Sequence, residues 1–223
     1  LRRLLERKTE LQDKPEQILD MLEEIKGMDK TKRNLIKDEL HKIKPQIVVE
    51  LGTFVGYSAI VLALELRNMG SLATVHTFDT SADRYEISKQ IIQLSGLQGR
   101  IRLYQGTPQE LIESWEAEHI VERVNFILLN HGNHLYLSDL RALETLGLIN
   151  PGTTIIADDC NGDYIEYLES APIWRKEHNS NHNTNGSRFV GKWGILYDNK
   201  LQKMTKEGFP DAMVVSKCTG VLF

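Results

Sequence analysis

The feature that most constrains this chain is an alternation of two periodicities. Five short apolar runs occur: Ile47-Val48-Val49-Glu50-Leu51, Thr74-Val75-His76-Thr77-Phe78, Ile101-Arg102-Leu103-Tyr104, Val124-Asn125-Phe126-Ile127-Leu128-Leu129 and Thr153-Thr154-Ile155-Ile156-Ala157. Each meets a Gly, Asp or Asn within two residues. Between them, residues 57–69, 82–94, 108–115 and 135–148 carry helical spacing. Strands of this length alternating with helices specify βαβ units, hence a parallel sheet with right-handed crossovers. The spacing also predicts helices across residues 1–45. There Ile18, Met21, Leu22 and Ile25, then Leu35, Ile36, Leu40 and Ile43, recur at helical steps before Pro45. The Asn-rich stretch 177–186 reads as a loop or hairpin turn. Residues 188–197 read as a strand and 212–217 as another, and no internal repeat is visible.

Composition narrows the class. A chain of 223 residues with 41% hydrophobic and 26% charged residues fits a single soluble α/β domain. A net charge of −4 argues against a dedicated nucleic-acid binder, which would gather a basic surplus on one face. No apolar run approaches the length of about 18 residues that a membrane span needs. The opening Leu-Arg-Arg reads as a charged helix rather than a signal peptide. Cys160 and Cys218 lie far apart without zinc-ligand spacing, so they read as reduced thiols. A cytoplasmic monomer or homodimer, with neither nucleic acid nor membrane as partner, is the resulting expectation.

In an open parallel sheet, ligands bind beyond the carboxyl ends of the strands. Four features line up there. Glu50-Leu51-Gly52-Thr53-Phe54-Val55-Gly56 follows the first strand, and its glycines permit close approach of a ligand to the backbone. Asp79 ends the second strand, where an acid can accept both hydroxyls of a ribose. Thr107-Pro108-Gln109 follows the third, where an adenine edge would sit, and Asn130-His131 follows the fourth. A glycine turn alone is ordinary turn geometry, and one acid at a strand end is ordinarily a helix cap. Four such ends in order and spacing carry more weight than any of them singly.

These residues resemble the catechol O-methyltransferase family. The likeness lies in Val49-Glu50-Leu51-Gly52-Thr53-Phe54-Val55-Gly56-Tyr57-Ser58 and continues in register through Gly106-Thr107-Pro108-Gln109, Leu129-Asn130-His131 with Tyr136, and Ala157-Asp158-Asp159. It covers roughly residues 20–197. It implies a Rossmann-like class I methyltransferase, with a mostly parallel seven-stranded sheet flanked by helices and an antiparallel last strand. The chain would then comprise N-terminal helices (1–45) over the cofactor and acceptor site, a core (46–197) and a C-terminal extension (198–223). The resemblance further implies that S-adenosylmethionine is the cofactor. Glu50 and Gly52 would cradle its methionine portion, and Tyr57 and Ser58 would lie near its carboxylate. Asp79 would hold the ribose, Thr107 and Gln109 would meet the adenine, Asn130 and His131 would pack near the ligand, and Met28 would close over it.

The same likeness implies a magnesium ion that chelates the two acceptor oxygens, and a lysine that removes a proton. The matching metal positions are Asn130, Asp158 and Asp159, with two carboxylates and one amide oxygen. Family members usually carry aspartate at the first and asparagine at the third. Where the family has its lysine this chain has Asn133, and an amide cannot act as a general base at neutral pH. His134 is the alternative base, since imidazole titrates near pH 6.5. The family's aromatic neighbour in this loop is replaced by Gly132. Two threadings of the C-terminus stay open. The favoured one makes residues 190–197 the family's last strand. The other uses 212–217, with Glu207 as a substrate-facing carboxylate. The expected function is methyl transfer to a small phenolic or catechol-like hydroxyl with a divalent metal. The alternatives are a cofactor-binding pseudo-enzyme, or an enzyme with a different acceptor or a non-methylating reaction.

Overall fold

The computed structural model describes residues 2–26, 30–107, 124–160, 162–183, 188–206 and 209–222. The chain divides into two compact units, Leu1–Pro108 and Gln109–Phe223. Helices α1 (Arg2–Glu6), α2 (Lys8–Leu11), α3 (Pro15–Lys26) and α4 (Lys30–Ile43) open the first unit. Pro15 stands at the first helical position of α3, where its missing N–H costs nothing. Ile18, Leu19 and Leu22 are fully buried along that helix, as is Leu40 along α4, where Ile36 is also buried.

Three strands follow: β1 (Ile47–Leu51), β2 (Thr74–Asp79) and β3 (Ile101–Gln105), connected by α5 (Tyr57–Asn68) and α6 (Ala82–Leu94). They pair in parallel in the order β3-β2-β1. Every residue of β1 is buried, as a parallel strand covered on both faces requires. Helix α5 is buried at all of residues 58–66, so its near-continuous apolar sequence is that of an interior helix. Ser81 caps α6 by accepting the Arg84 N–H.

The second unit begins with β4 (Val124–Leu129) and a single 3₁₀ turn, Asn133–Leu135. Helix α7 (Tyr136–Thr145), β5 (Thr154–Asp158), α8 (Gly162–Glu169) and α9 (Pro172–Asn183) come next, then β6 (Ile195–Lys206) and β7 (Phe209–Val221). Strand order here is β4-β5-β7-β6, with β4 and β5 parallel and β7 antiparallel to both β5 and β6. The two units thus supply a seven-stranded, mostly parallel sheet with an antiparallel last strand and helices alongside it. Among the described residues no helix is long and apolar enough to cross a membrane.

Three expectations are corrected. Residues 198–223 are not an extension beyond the sheet. They form most of a long hairpin whose second strand pairs with β5, Ile156 opposite Val215. The last strand of the sheet is therefore β7, and the favoured threading through 190–197 gives way to the other one. Glu207 lies outside the described residues. The Asn-rich stretch is helical as far as Asn183. Its low propensity is overcome by contacts with distant side chains: Asn179 Nδ2 donates to the Tyr167 hydroxyl at 3.0 Å, the Arg175 guanidinium lies over the Tyr167 and Tyr197 rings, and His178 stacks on Trp174 with ring centroids 4.5 Å apart. Finally, residues 188–194 are not strand. Gly191 has φ +84°, and a Cβ there would come 2.6 Å from Glu144 Oε2, so the chain bends around that buried acid. Glu144 accepts from the Tyr197 hydroxyl at 2.7 Å, the Tyr167 hydroxyl at 2.9 Å and the Lys192 N–H at 2.9 Å. Burial pushes its carboxyl up despite those bonds. The helix expected over 108–115 lies outside the described residues.

Candidate functional site

In the first unit, the loop after β1 is shaped by the backbone. Gly52, Phe54 and Gly56 all have positive φ, at 102°, 53° and 85°. For a residue as bulky as phenylalanine that conformation is strained, and such strain collects at functional sites. It is held by the Phe54 N–H, which donates to Asp79 Oδ2 at 2.9 Å, and by the Gly52 and Thr53 N–H groups, which both donate to the Phe78 carbonyl. At Gly56, whose φ is +85°, a Cβ would meet Ile92 Cγ1 at 3.2 Å, so any other residue would be strained in its backbone and would have to push the Ile92 side chain aside.

Beneath this loop runs a buried hydroxyl relay. Thr53 Oγ1 lies 2.6 Å from Thr77 Oγ1, which donates to Glu50 Oε2 at 2.5 Å. Glu50 is wholly buried. Its carboxyl is pushed up to about 7, first by burial, which penalises the charged form. The Ser58 and Thr77 hydroxyls oppose that rise and the nearby charge of Asp79 adds to it. Its other oxygen, Oε1, has no hydrogen-bond partner among the described residues. A sealed acid with an open oxygen beside a glycine turn suits a cationic donor such as an ammonium group.

Asp79 sits at the end of β2 with its side chain 3% exposed. Oδ1 accepts from the Ser81 N–H and from Arg84 Nε, each at 2.9 Å. Tyr57, the first residue of α5, donates its hydroxyl to Glu23 Oε1 at 2.7 Å. Arg33 Nη1 reaches the same oxygen at 2.8 Å and Lys30 Nζ lies 3.2 Å from Oε2. Burial alone would raise Glu23, but these three donors outweigh it and hold the carboxyl below its ordinary value. Burial and the Glu23 charge push the Tyr57 hydroxyl well up. This network ties α3 and α4 to the start of α5. Nothing in the local sequence pattern signals it, because its members are 10 and 34 residues apart. Thr107 is half-buried just after Gly106, whose N–H donates to the Asp79 carbonyl at 3.0 Å. Met28 and Gln109 lie outside the described residues.

In the second unit, side chains shape the loop after β4. His131 Nε2 lies 2.6 Å from Asp139 Oδ2, and its ring centroid is 5.1 Å from that of Tyr136. The Tyr136 hydroxyl is shared between the Asp158 carbonyl at 2.8 Å and the Leu129 carbonyl at 3.0 Å, bridging the ends of β5 and β4. Burial, with the charges of Asp158 and Asp159, raises that hydroxyl far above its ordinary value. Asn130 follows directly on β4 and is half-buried, as is Asp158 at the end of β5. Asp159 is exposed with φ +48°; its N–H donates to the Ala212 carbonyl at 3.0 Å. Its own carbonyl accepts from Asn133 Nδ2 at 2.9 Å. Asn133 is therefore a strut between the two loops. His134 is exposed and folds back on Gly132, where a Cβ would come 2.7 Å from its Cε1. Among the described residues no cluster of three His, Cys, Asp or Glu could hold a metal ion. The set Asn130, Asp158 and Asp159 offers two carboxylates and an amide, all hard oxygen donors of the kind magnesium takes.

A family model described as a methyltransferase domain matches residues 49–160. Catechol O-methyltransferase of Sus scrofa is 27% identical over 155 residues, which cover 68% of this chain and 82% of that protein. The transmembrane O-methyltransferase homolog of Mus musculus is 31% identical over 137 residues, covering 61% of this chain and 52% of that one. The chain thus spans about half the length of several curated relatives that it matches. Among solved structures, the Bacillus cereus O-methyltransferase in complex with S-adenosylhomocysteine superposes with a TM-score of 0.64 at 17% identity, covering 91% of this chain and 90% of the other.

Proposed function

We propose, from the premise that this chain belongs to the methyltransferase-domain family as a catechol O-methyltransferase-like, class I, S-adenosylmethionine-dependent methyltransferase, that it methylates a hydroxyl oxygen of a small phenolic, catechol-like acceptor with help from a divalent metal. The observation that carries the reading is the open, buried oxygen of Glu50 beside the Gly52 turn. It suits the ammonium of the methionine portion. Gly52 lets that portion approach the backbone, and Tyr57 and Ser58 at the start of α5 offer the positive end of a helix to its carboxylate. Asp79 accepts the ribose hydroxyls, Thr107 and Gln109 meet the adenine, His131 packs by the ligand, and Met28 covers it.

Asn130, Asp158 and Asp159 would hold magnesium, which supplies Lewis acidity and a template for two vicinal acceptor oxygens. The remaining work falls to protein side chains. An acceptor phenol has a pKa of about 10, so at neutral pH its proton has to be taken by a base or the anion stabilised. Asn133 cannot take it, and its amide is already committed to the Asp159 carbonyl. His134, next in the 3₁₀ turn, is the base available in that loop. The commitment of Asn133 also favours a second reading: the chain binds S-adenosylmethionine but serves a different acceptor, a non-methylating reaction, or a role without turnover.

Calorimetric titration with S-adenosylmethionine, alone and with magnesium and a catechol, separates these readings. Cofactor binding of micromolar order, about −8 kcal/mol, strengthened by the two additions together, supports the first. In the same titration Asn130→Asp should tighten magnesium binding by restoring a full charge, and Asp158→Ala should weaken it. If neither substitution changes metal affinity or methyl transfer, the metal-assisted reading fails.

A further inference from the structure

The ribose-binding carboxylate carries a competitor. Each oxygen of an ionised carboxylate offers two lone pairs. On Asp79, Oδ1 spends both, on the Ser81 N–H and on Arg84 Nε, each at 2.9 Å. Oδ2 spends one, on the Phe54 N–H at 2.9 Å. A vicinal diol held in bidentate fashion asks for one free site on each oxygen. As it stands Asp79 has room on Oδ2 alone.

One Oδ1 donor has to leave, and the two differ in what leaving costs. The Ser81 N–H belongs to the backbone at the N-cap of α6, two residues from Asp79, in the local turn that short acidic side chains commonly form. Releasing it would strand a backbone donor and disturb the cap. Arg84 is a side chain 48% exposed, bound through a single nitrogen, and water can take over its hydrogen bonds at once. It is the weaker tie.

We infer that Arg84 sets cofactor affinity by occupying the acceptor site that the ribose needs, and that the ligand displaces it on binding. This rests on Asp79 being the ribose acceptor. Arg84 stands in the first turn of α6, five residues after Asp79, so no chain movement is needed for its guanidinium to swing into solvent. With its cation half in solvent and its carboxylate buried, this ion pair is partly screened by salt. Its removal should therefore tighten binding by a modest factor, and salt should do the same to the wild type.

The test is calorimetric titration of S-adenosylhomocysteine, chosen because its net charge is zero at neutral pH. It is run on wild type, Arg84→Gln, Asp79→Ala and the double variant, at low and moderate salt. Arg84→Gln should bind about 2- to 5-fold tighter than wild type. Wild-type affinity should rise with salt while that of Arg84→Gln stays flat, and Arg84→Lys should fall between the two. The double variant should match Asp79→Ala, since Arg84 acts through that carboxylate. Arg84→Gln binding no tighter, alongside a weakened Asp79→Ala, overturns the role of Arg84 and leaves the ribose assignment standing. Tightening that persists in the double variant overturns it as well, by placing the effect elsewhere. An unchanged Asp79→Ala removes the ribose assignment and this inference with it. Thermal unfolding of each variant confirms that folded protein is being compared.

Discussion

Two loops leave the carboxyl ends of parallel strands, and they are built by opposite means. The loop after β1 is written into the backbone, with three left-handed residues between Gly52 and Gly56 and a buried relay from Thr53 through Thr77 to Glu50. The loop after β4 has no left-handed residue. Side chains hold it instead: His131 on Asp139, Tyr136 between two carbonyls, and Asn133 on Asp159. A loop fixed by its backbone tolerates few substitutions. One fixed by struts can be respecified a residue at a time.

The largest expected effect lies in the second loop. A positioned general base typically contributes about 10²–10⁴-fold, and residue 133 cannot supply it. Methylation of a simple catechol should be slow at neutral pH and rise as the solution becomes alkaline. Asn133→Lys should recover only part of the factor, because it adds a base and cuts the strut to Asp159. The measurement is methyl transfer from labelled S-adenosylmethionine across mildly acidic to mildly alkaline pH. Rapid neutral turnover that disappears in His134→Ala would show that one exposed side chain has restored the base. Rapid turnover indifferent to His134→Ala would refute this account of the loop.

Next in size is a change of backbone in the first loop. Gly56→Ala should cost about 1–3 kcal/mol, since it puts a side chain at φ +85° and 3.2 Å from Ile92. Chemical denaturation measures this, and a cost below about 0.5 kcal/mol would mean the backbone there is not decisive.

The relay gives an effect of similar or smaller size that depends on pH. Glu50 holds its proton in the folded protein up to about pH 7, whereas an unfolded glutamate loses it near 4.5. Its contribution to stability is therefore fully present below 4.5 and is lost as pH rises through 7, by about 1–3 kcal/mol. Glu144 adds a fall in the same direction, so the quantity to measure is wild type minus Glu50→Gln. That difference should shrink from acid to neutral pH. Cofactor affinity should rise over the same window as the carboxylate ionises to meet an ammonium, and Glu50→Gln should abolish that rise. A flat difference across the window would remove the raised carboxyl from the argument.

The smallest effect sharpens the contrast. Gly132 has an ordinary φ of −62°, and the nearest atoms to a Cβ there belong to the exposed His134 ring. Gly132→Ala should change stability by less than about 0.5 kcal/mol, while moving His134 and hence any rate that depends on it. A large loss of stability would mean that this loop too is written into its backbone.

How much could be read beforehand follows the same division. The strands β1 to β5 and the helices between them that are described lie where the periodicity put them, because alternating patterns and glycine turns are local signals. The likeness at Glu50-Leu51-Gly52 was legible for the same reason. Arg84 and Glu23 were not, since a carboxylate's partners depend on which helices meet it. Nor was the strut role of Asn133, whose acceptor lies 26 residues away.

By itself the sequence determined the order of elements, the glycine turn and the residues at the strand ends. These are matters of spacing and of backbone freedom, decided within a few residues. Only the tertiary structure decided that residues 209–221 enter the sheet beside β5, that an Asn-rich stretch becomes helix α9, and that Gly191 bends around Glu144. For β7 the deciding energy is the burial of Met213, Val214 and Val215 together with backbone pairing to β5, and for α9 and Gly191 it is contact with distant side chains such as Tyr167 and Glu144. A buried acid such as Glu144, left without its three donors, would be costly enough to overrule local preference.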